Sequence, residues 1–569
     1  MTGADTSPRT DPGATGRSAA AVGPAGVVVL RDRTYRVPRR GAVALPAVVA
    51  GLGLALSLPP WGWWIVAFPA AGLLFWRLGG LRPRTRLWAG FLAGLGLYVP
   101  GLQWVRSFSP PGAVVLIAVE ALFPALACLA VPSRGIGARA LVFPAAMTLA
   151  EAVRMTWPFG GLPLGGVFLG QADGPVLAVA RLGGPLLLTA AVYTGGVALA
   201  ALVDAAGRAV RRTGGSVGDD VDVPAGVPWA VATRRLVVAG AVALVATVAT
   251  VAVGVRAPDG GPSHGAVAVA AVQGGGVRGF RKAQVDPATV EAAQYAATSA
   301  LEQLPPAERP RLVVWPEDVV SLPYPLDGSP EEASLSALAQ TLDATLVVGV
   351  TETVSPTAFR NEVVAWGPDG TLEARYEKVH RVPFGEYVPY RSFFRHLANL
   401  SAVPLDAVPG TGTGLMETSA GPLGVMVSYE VAYADRGRSA VRAGAQLLLV
   451  PTNTSSYATA QVPTQEVAAA EVQAVQQGRD LVQAAPTGYT AVVTNRGRLL
   501  ARSVLGARQV VRATVDRRTG VTVYVRFGDT PVLVAAALAV VAGWYLARTA
   551  GRRRRTAGGT GIGGGGAVR

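Results

Sequence analysis

The sequence predicts a multi-pass α-helical membrane domain of about eight spans joined to an α/β domain outside the cytoplasm. Three observations predict this fold class. Hydrophobic residues make up 50% of the 569-residue chain, charged residues only 15%, and the mean hydropathy is +0.37, which is too apolar for an ordinary soluble protein. Apolar stretches long enough to cross a bilayer recur up to residue 255. Between residues 256 and 530, strand-length and helix-length stretches alternate.

The candidate spans are apolar stretches of about 20 residues, the length that crosses the hydrocarbon core of a bilayer. They occupy residues 41–58, 62–81, 86–104, 110–131, 137–155, 176–203, 234–255 and 531–548. Arginines cluster in alternate loops, at 77–86, 134–139 and 208–235, and again at 552–555. Because positive residues favour the cytoplasmic side, both termini are predicted in the cytoplasm and residues 256–530 outside it. The chain is therefore expected in the cell membrane.

The two ends of the chain lack apolar periodicity. Residues 1–40 are rich in Gly, Ala, Pro, Thr and Arg, and we expect a disordered cytoplasmic tail. Residues 549–569 are basic and glycine-rich and are predicted to form a second cytoplasmic tail. A signal peptide is the alternative interpretation of the first apolar run, but further spans follow it, which favours a retained anchor.

The net charge of +15 does not indicate nucleic-acid binding, because most of the excess arginines lie between apolar stretches and at the chain ends. The one cysteine, Cys128, lies inside the fourth candidate span. An intramolecular disulfide is therefore excluded, and the α/β domain contains no thiol. The three histidines, His264, His380 and His396, lack the spacing of metal ligands.

The domain at 256–530 is predicted from short apolar runs separated by longer helix-like stretches. Strands are predicted at 266–272, 311–315, 345–350, 361–366, 423–427, 446–450, 481–485, 489–494 and 521–526. Helices are predicted at 283–303, 331–342 and 461–478. A domain of this length is large enough to have its own core.

Reactive side chains follow the apolar runs of this domain. Glu317 comes shortly after one run, and Ser428 directly after another, while Lys378 precedes a Pro- and Gly-rich segment. Together these three residues offer a carboxylate, an ammonium and a nucleophile position, the groups that covalent catalysis uses as base, cation and nucleophile. Singly, such a glutamate is most often a turn residue, such a lysine is most often part of a surface ion pair, and such a serine is often a turn or cap residue.

Three motifs tie these residues to one family: WPE at 315–317, EKVHRVPFGEYVP at 377–389, and SYE at 428–430. They resemble the signatures of apolipoprotein N-acyltransferase, the membrane-embedded branch of the nitrilase superfamily. The long PFGEYVP run is specific, whereas WPE alone is a weak signal. The resemblance covers nearly the whole chain, because that family also has eight spans with a nitrilase-like domain inserted before the last.

The resemblance implies a fold and a reaction. Nitrilase-like domains are α-β-β-α sandwiches with a Glu-Lys-Cys triad, and this family moves an acyl chain from a phospholipid to the α-amino group of a lipoprotein's diacylglyceryl-cysteine. The implied partners are a phospholipid acyl donor, a diacylglyceryl-lipoprotein acceptor and the membrane. No cofactor or metal is implied, and we expect a monomer.

Site residues are carried over position by position. Glu317 matches the general base, Lys378 matches the lysine that supports the tetrahedral intermediate, and Ser428 stands where the family has its nucleophilic cysteine. The supporting pocket positions are Glu386, Tyr429, Glu430, Gln273, Asn361 and Asn453.

Several positions depart from the family pattern. A serine hydroxyl needs an adjacent base as it attacks, whereas a thiol is intrinsically very nucleophilic. The family's Asn-Asp-Ala-Trp-Phe segment here reads NTSSY at 453–457, and Gln473 and Gln476 replace an arginine and a glutamate. Three interpretations follow: an active N-acyltransferase with a serine ester, a catalytically silent member that binds lipid or lipoprotein, or a serine-dependent amide or ester hydrolase.

Residues 390–405 carry Phe393, Phe394, Leu397 and Leu400 at near-helical spacing. We hypothesise an amphipathic segment at the membrane surface that lets an acyl chain reach Ser428 without crossing water. An ordinary helix packed on the domain is the alternative.

Overall fold

The computed structural model of the chain describes residues 27–30, 33–36, 41–213, 228–396, 400–401 and 403–559. Two short strands, β1 (Val27–Leu30) and β2 (Arg33–Arg36), form an antiparallel hairpin inside the tail predicted to be disordered. The rest of that tail and the residues 214–227 and 560–569 lie outside the described part of the chain.

Each of the eight apolar stretches contains a helix. These helices are α1 (Gly41–Ser57), α2 (Ala67–Arg77), α3 (Pro83–Gly101), α4 (Pro110–Ala130), α5 (Ile136–Arg154), α6 (Ala180–Thr213), α7 (Trp229–Arg256) and, at the end of the chain, α14 (Thr530–Gly559). Among the described residues, five helices are long and apolar enough to cross a membrane: Pro110–Ala130, Ile136–Arg154, Leu177–Arg211, Trp229–Arg256 and Thr530–Ala550. The chain is accordingly a membrane protein.

Small residues let the membrane helices approach closely. A Cβ atom built on Gly51 of α1 would lie 2.0 Å from the carbonyl oxygen of Ala93 in α3, so only glycine permits this backbone contact. In α6, Gly184 has a φ of 58° and the helix is kinked there. The kink makes room for the ring of Tyr524, because a Cβ on Gly184 would lie 2.5 Å from it.

Three buried charged residues within the helical domain form a paired group. The guanidinium of Arg154 is 3.1 Å from Glu120 and 2.8 Å from Glu151, and all three side chains are buried. The pair of Arg154 and Glu120 joins two helices, since α4 carries Glu120 and α5 carries Arg154. The same guanidinium also donates to the carbonyl oxygens of Pro163 and Leu164 in the loop after α5, so it orders that loop.

The second domain contains fourteen strands and six helices among its described residues, excluding α14. The strands are β3 (Ala266–Gln273), β4 (Leu312–Val314), β5 (Val320–Leu322), β6 (Thr345–Ser355), β7 (Ala358–Trp366), β8 (Leu372–Glu377), β9 (Asp406–Ala407), β10 (Leu415–Thr418), β11 (Gly421–Val425), β12 (Leu447–Pro451), β13 (Leu481–Ala484), β14 (Ala491–Val493), β15 (Leu499–Arg502) and β16 (Gln509–Asp516). The helices are α8 (Pro287–Glu302), α9 (Pro330–Leu342), α10 (Arg391–Phe394), α11 (Ala434–Ala443), α12 (Gln461–Gln477) and α13 (Val523–Phe527).

These strands form two sheets that pack face to face. One sheet has the order β16-β3-β4-β6-β7-β8, with β5 beside β6 and β9 beside β7, and the other has the order β10-β11-β12-β13-β14-β15. Their facing side chains, such as Val314 and Val363 on the first sheet and Val425 and Val482 on the second, share one buried core. Parallel pairing of β3 with β4 and of β11 with β12 brings the carboxyl ends of neighbouring strands to common edges.

Helices cover both outer faces of the sheet pair. Leu301 of α8 and Leu335 of α9 pack on the first sheet, while Val441 of α11 and Val472 of α12 pack on the second. This order of layers is the α-β-β-α sandwich that the resemblance implied. The α12 layer also shares its core with membrane-helix residues such as Leu97, so α12 lies between the sheet and the helical domain.

Some predicted elements were wrong or missed. Residues 521–526 form the short helix α13 instead of a strand, because Thr522 caps it by accepting a hydrogen bond from the Val525 amide at 3.1 Å. The strands β5, β8, β9, β10, β15 and β16 and the helix α11 were not predicted. The strands β8 and β15 carry charged or exposed residues that hide their pattern. At the end of the chain, α14 continues to Gly559 through part of the predicted tail, because arginine and alanine favour helix.

Candidate active site

Four polar side chains predicted from the sequence meet at one edge of the larger sheet. Glu317 follows β4, Lys378 directly follows β8, and Asn361 lies on β7 between them. The Lys378 ammonium donates to Glu317 Oε1 at 2.8 Å and to Glu386 Oε1 at 2.6 Å. The Asn361 amide donates to the same two oxygens at 2.9 and 3.1 Å. We call Glu317, Asn361, Lys378 and Glu386 the carboxylate cluster.

Burial and charge together set the protonation of this cluster. Burial alone would lower the pKa of Lys378, but the adjacent Glu317 and Glu386 carboxylates outweigh it and raise the pKa. Burial raises the pKa of Glu386, although Lys378 opposes this shift. The lysine is therefore held as a cation between two carboxyl groups, one of which is poised to take up a proton.

Ser428 lies in a sharp turn after β11. It is 7% exposed and has a φ of 51°, a left-handed conformation that is uncommon for a residue with a Cβ. Such strained residues concentrate at active sites, where the surrounding structure holds them. The turn presents the hydroxyl at the carboxyl end of a parallel strand.

Glu430 joins the serine turn to the lysine. Its side chain is fully buried, and its Oε1 atom accepts hydrogen bonds from the backbone amides of Val379 and His380 at 2.8 and 2.9 Å. Its Oε2 atom accepts from the amide of Val427 at 2.8 Å. One carboxylate therefore fixes the residue after Lys378 against the residue before Ser428.

Tyr429 joins the same turn to the helical domain. Its hydroxyl donates to the carbonyl oxygen of Gly161 at 3.0 Å, as does the hydroxyl of Tyr433. Gly161 belongs to the loop after α5 that Arg154 orders. The contacts of Tyr429 and Tyr433 place this loop directly beside the serine turn.

The Ser428 hydroxyl has its own hydrogen-bond partner. Thr452 Oγ1 is 3.1 Å from Ser428 Oγ and 2.9 Å from Glu466 Oε2. Among the described residues, no hydrogen bond joins Ser428 to Glu317 or Lys378. The predicted triad is thus divided into two neighbouring groups, the carboxylate cluster and a Ser428–Thr452–Glu466 chain.

Two predicted residues lie apart from these groups. The side chain of Gln273 donates to the carbonyl oxygens of Val504 and Ala507 and accepts from Ser503, so all its contacts order the loop between β15 and β16. Asn453 accepts a hydrogen bond from the Ser455 amide at 3.1 Å in a local turn. Within the described part of the chain, no hydrogen bond joins either residue to the carboxylate cluster.

The comparisons with known proteins agree with this architecture. The N-terminal domain of apolipoprotein N-acyltransferase matches residues 50–198, and the carbon-nitrogen hydrolase family matches residues 268–523. An apolipoprotein N-acyltransferase of Mycolicibacterium smegmatis is 32% identical over 87% of this chain and 84% of its own length. The chain belongs to the apolipoprotein N-acyltransferase family.

Other members of the apolipoprotein N-acyltransferase family and one solved structure are similar as well. The enzyme of that name from Azotobacter vinelandii is 30% identical over 90% of this chain and 96% of its own length. A carbon-nitrogen hydrolase from Helicobacter pylori G27 is 21% identical, covers 44% of this chain and 90% of its own, and has a TM-score of 0.34. The family predicted from the three motifs is confirmed.

The two glutamines noted as departures from the N-acyltransferase pattern are structural here. Gln473 donates to the carbonyl oxygens of Val431 and Tyr433 at 2.9 and 2.8 Å, and Gln476 donates to Gln473 at 2.7 Å. They hold the segment that follows Ser428 against α12. In this chain a hydrogen-bonded pair of amides occupies these two positions.

Aromatic side chains flank the site of this N-acyltransferase family member where it meets the helical domain. On one side, Phe159 packs edge-on against Phe384 and Phe394, with centroid distances of 5.7 and 6.4 Å. On the other side, Tyr457 packs against Trp104 at 5.4 Å. Of the predicted surface segment 390–405, Arg391–Phe394 is helical, and Leu397 lies outside the described residues.

Sequence reasoning missed Thr452 and Glu466. Thr452 directly follows β12, which pairs in parallel with β11, so the rule that placed Ser428 at a strand end also applied to it. Glu466 belongs to α12, whose residues are almost all buried. A carboxylate three or four residues from Val462, Pro463, Ala469 and Ala470 was the available signal. Among the described residues, no group of His, Cys, Asp or Glu is arranged to hold a metal ion.

Proposed function

We propose that this protein moves a fatty acyl chain from a phospholipid to the α-amino group of the N-terminal diacylglyceryl-cysteine of lipoproteins, through an ester on Ser428. One observation carries the proposal: Glu430 fixes the serine turn against the backbone of Val379, beside the buried Lys378 with its two carboxylates. A hydroxyl, a cation and a base are thereby held in one region.

Each group has a role in the two half-reactions. Lys378 is the cation that stabilises the oxyanion of the tetrahedral intermediates. Glu317 is the carboxylate that accepts the proton of the incoming α-amino group. The Oδ1 atom of Asn361 is buried and has no hydrogen-bond partner among the described residues, which supports a role in accepting a hydrogen bond from that amine.

The membrane arrangement supports a lipid substrate. The aromatic side chains around Phe159 and Tyr457 lie where the catalytic domain meets the helical domain, and Phe393 beside them is 59% exposed. We propose that the acyl donor enters from the bilayer between these two groups, with segment 390–396 resting at the membrane surface. The proposed topology has eight spans, with the catalytic domain outside the cytoplasm.

The protein is proposed to act as a monomer and without a cofactor, because one chain supplies every residue of the proposed mechanism. The roles assigned to Glu317, Lys378 and Ser428 need only proton transfers and two acyl transfers. The acyl chain moves from the phospholipid oxygen to the Ser428 oxygen, and then to the amino nitrogen of the lipoprotein.

A transfer assay tests the proposal. Full-length protein in phospholipid vesicles carrying a fluorescent acyl chain is incubated with a diacylglyceryl peptide that has a free amino terminus. We expect the label on the peptide amine and no transfer by Ser428→Ala. Release of free fatty acid without peptide acylation would instead indicate a hydrolase. No reaction by the natural protein, together with transfer by Ser428→Cys, would indicate a catalytically silent member.

A further inference from the structure

We infer that Thr452 and Glu466 activate Ser428 as a hydroxyl–hydroxyl–carboxylate relay that removes the serine proton during attack. This inference deepens the proposed function, because it assigns the base of the first half-reaction to residues outside the carboxylate cluster. Thr452 touches the reacting oxygen, and Glu466 acts through Thr452 as a positioning residue.

The geometry of the relay fixes the direction of its hydrogen bonds. Thr452 Oγ1 lies within 3.1 Å of Ser428 Oγ and 2.9 Å of Glu466 Oε2, but a threonine hydroxyl has one proton. When Glu466 is ionised it can only accept, so Thr452 donates to Glu466 and accepts the proton of Ser428. The lone pair of the serine oxygen is then free to point at a substrate.

The burial of the Glu466 carboxyl group sets the pH at which it gains or loses a proton. Thr452 is 1% and Glu466 5% exposed. Burial raises the pKa of Glu466 to about 8, the hydrogen bond from Thr452 opposes the shift, and the charges of Glu317 and Lys378 act on it from the neighbouring strand ends. Its pKa is therefore close to the operating pH, as a proton acceptor requires.

The hydrogen bonds of the carboxylate cluster leave the role of the base for Ser428 to other residues. Glu317 Oε1 already accepts from Lys378 and Asn361, and its side chain has no hydrogen bond to Ser428. A serine needs a base in contact with its proton, directly or through one hydroxyl, more than a thiol does. The relay supplies this contact where the family's thiol is replaced.

The first half-reaction balances through these groups. The Ser428 oxygen forms a bond to the acyl carbonyl carbon, its proton passes to Thr452 Oγ1, and the proton of Thr452 passes to Glu466. The carbonyl π electrons move to the oxyanion. When the carbonyl re-forms, the bond to the lysophospholipid oxygen breaks, and this alkoxide takes a proton from Thr452, which recovers one from Glu466.

The test measures the reactivity of Ser428 separately from lipid transfer. The purified full-length protein is treated with an alkyl fluorophosphonate, which esterifies activated serines and loses fluoride, and the rate of Ser428 labelling is followed between pH 6 and 10. We expect a rate in the natural protein that rises with a midpoint at about pH 8. Glu466→Gln and Thr452→Val should each label about 10²-fold more slowly or worse, and Glu466→Gln should lose the pH dependence.

Matched variants separate the relay from a structural effect. Thr452→Ser restores a hydroxyl and should restore most of the labelling rate. Glu471→Gln removes another 5%-exposed carboxyl from α12, whose pKa burial also raises to about 8, and should leave both rate and pH profile unchanged. Melting temperatures of all variants are compared with the natural protein.

Two results would overturn the relay. One is Ser428 labelling in Glu466→Gln and Thr452→Val at the natural rate. The other is equal slowing by Glu471→Gln. The proposed function can fail independently, since a serine that reacts with the fluorophosphonate through the relay, yet transfers no phospholipid acyl chain, would refute only the acyltransferase assignment.

Discussion

At the scale of single residues, the site depends on buried charges that are paired with opposite charges. Lys378 is 1% exposed and contacts both Glu317 and Glu386. Moving a charge from water into the protein interior costs several kcal/mol, and this cost is offset only while the partners of the charge remain in place. The lysine therefore contributes to folding as well as to oxyanion binding.

Replacing this lysine tests both contributions. Lys378→Met should abolish transfer and lower the free energy of unfolding by about 3–5 kcal/mol, because two buried carboxyl groups then face each other without a cation between them. Burial already raises the folded-state pKa of Glu386 above its unfolded value, and loss of the opposing Lys378 charge raises it further. Stability is then retained at low pH and lost as pH rises. Melting temperatures should consequently fall further below those of the natural protein at pH 9 than at pH 6.

Lys378→Arg is the matched control. It keeps the positive charge and should recover part of the stability but little activity, because a planar guanidinium cannot occupy the position of an ammonium. A Lys378→Met protein as stable at pH 9 as at pH 6 would contradict the pairing described here.

The residues that the sequence could predict were those whose chemistry is marked by a motif. Glu317, Lys378, Glu386 and Asn361 do converge, and Ser428 lies next to them. Thr452 and Glu466 were not predictable by the same route. Their significance comes from tertiary contact between a strand end and a helix 14 residues away, and no motif quoted above contains them.

At the scale of secondary-structure elements, α12 connects the two domains. Its Gln465 side chain accepts a hydrogen bond from the Gly165 amide at 3.0 Å and donates to the Gly101 carbonyl at 3.1 Å. Both partners belong to the helical domain, and Gln465 itself is fully buried. The next residue, Glu466, reaches the serine turn, so the docking of α12 also positions the site.

Truncating this contact should loosen the docking. Gln465→Ala leaves a buried amide and a buried carbonyl without partners, which costs about 1–3 kcal/mol each. We expect a lower melting temperature and faster proteolysis near α12. Gln340→Ala, on the exposed surface of α9, should change the stability by less than about 0.5 kcal/mol. Equal effects of the two substitutions would show that α12 is not a docking helix.

The short helix α10 divides the predicted surface segment into two roles. Phe394 packs against Phe159 and Phe384, whereas Phe393 is mainly exposed. Phe393→Ser should therefore reduce acyl transfer from vesicle phospholipid several-fold, with the melting temperature unchanged. Phe394→Ser should lower stability. Leu499→Ser, at a 36%-exposed position on β15, is the control for the loss of a surface hydrophobic residue. Full activity of Phe393→Ser on vesicles would refute a role for this residue at the membrane.

The prediction of secondary-structure elements succeeded for long periodic segments and failed for short ones. The buried strands β3, β6 and β12 are apolar runs that periodicity identifies. The five-residue helix α13 has the same composition as a strand, and only its Thr522 cap and its packing beside Gly184 distinguish it. A short apolar run contains too few residues for its periodicity to distinguish a helix from a strand.

At the scale of the whole molecule, the proposed topology places the catalytic domain on one side of the membrane. The protein offers a simple test because its one cysteine, Cys128, is buried. In a Cys128→Ala background, Ala333→Cys lies on the exposed face of α9 and Arg211→Cys at the exposed end of α6. An impermeant maleimide should label the first in intact cells and the second only after permeabilisation. The reverse pattern would invert the topology.

The central claim is that Ser428 carries the acyl chain, and intact-mass and peptide-mass measurement of the protein after incubation with phospholipid tests it most directly. We predict a mass increase of one acyl group confined to the peptide that contains Ser428, which disappears when a diacylglyceryl peptide is added and never forms in Ser428→Ala. Peptide acylation by the natural protein with no acyl group detectable on Ser428, or with transfer retained in Ser428→Ala, would contradict the claim.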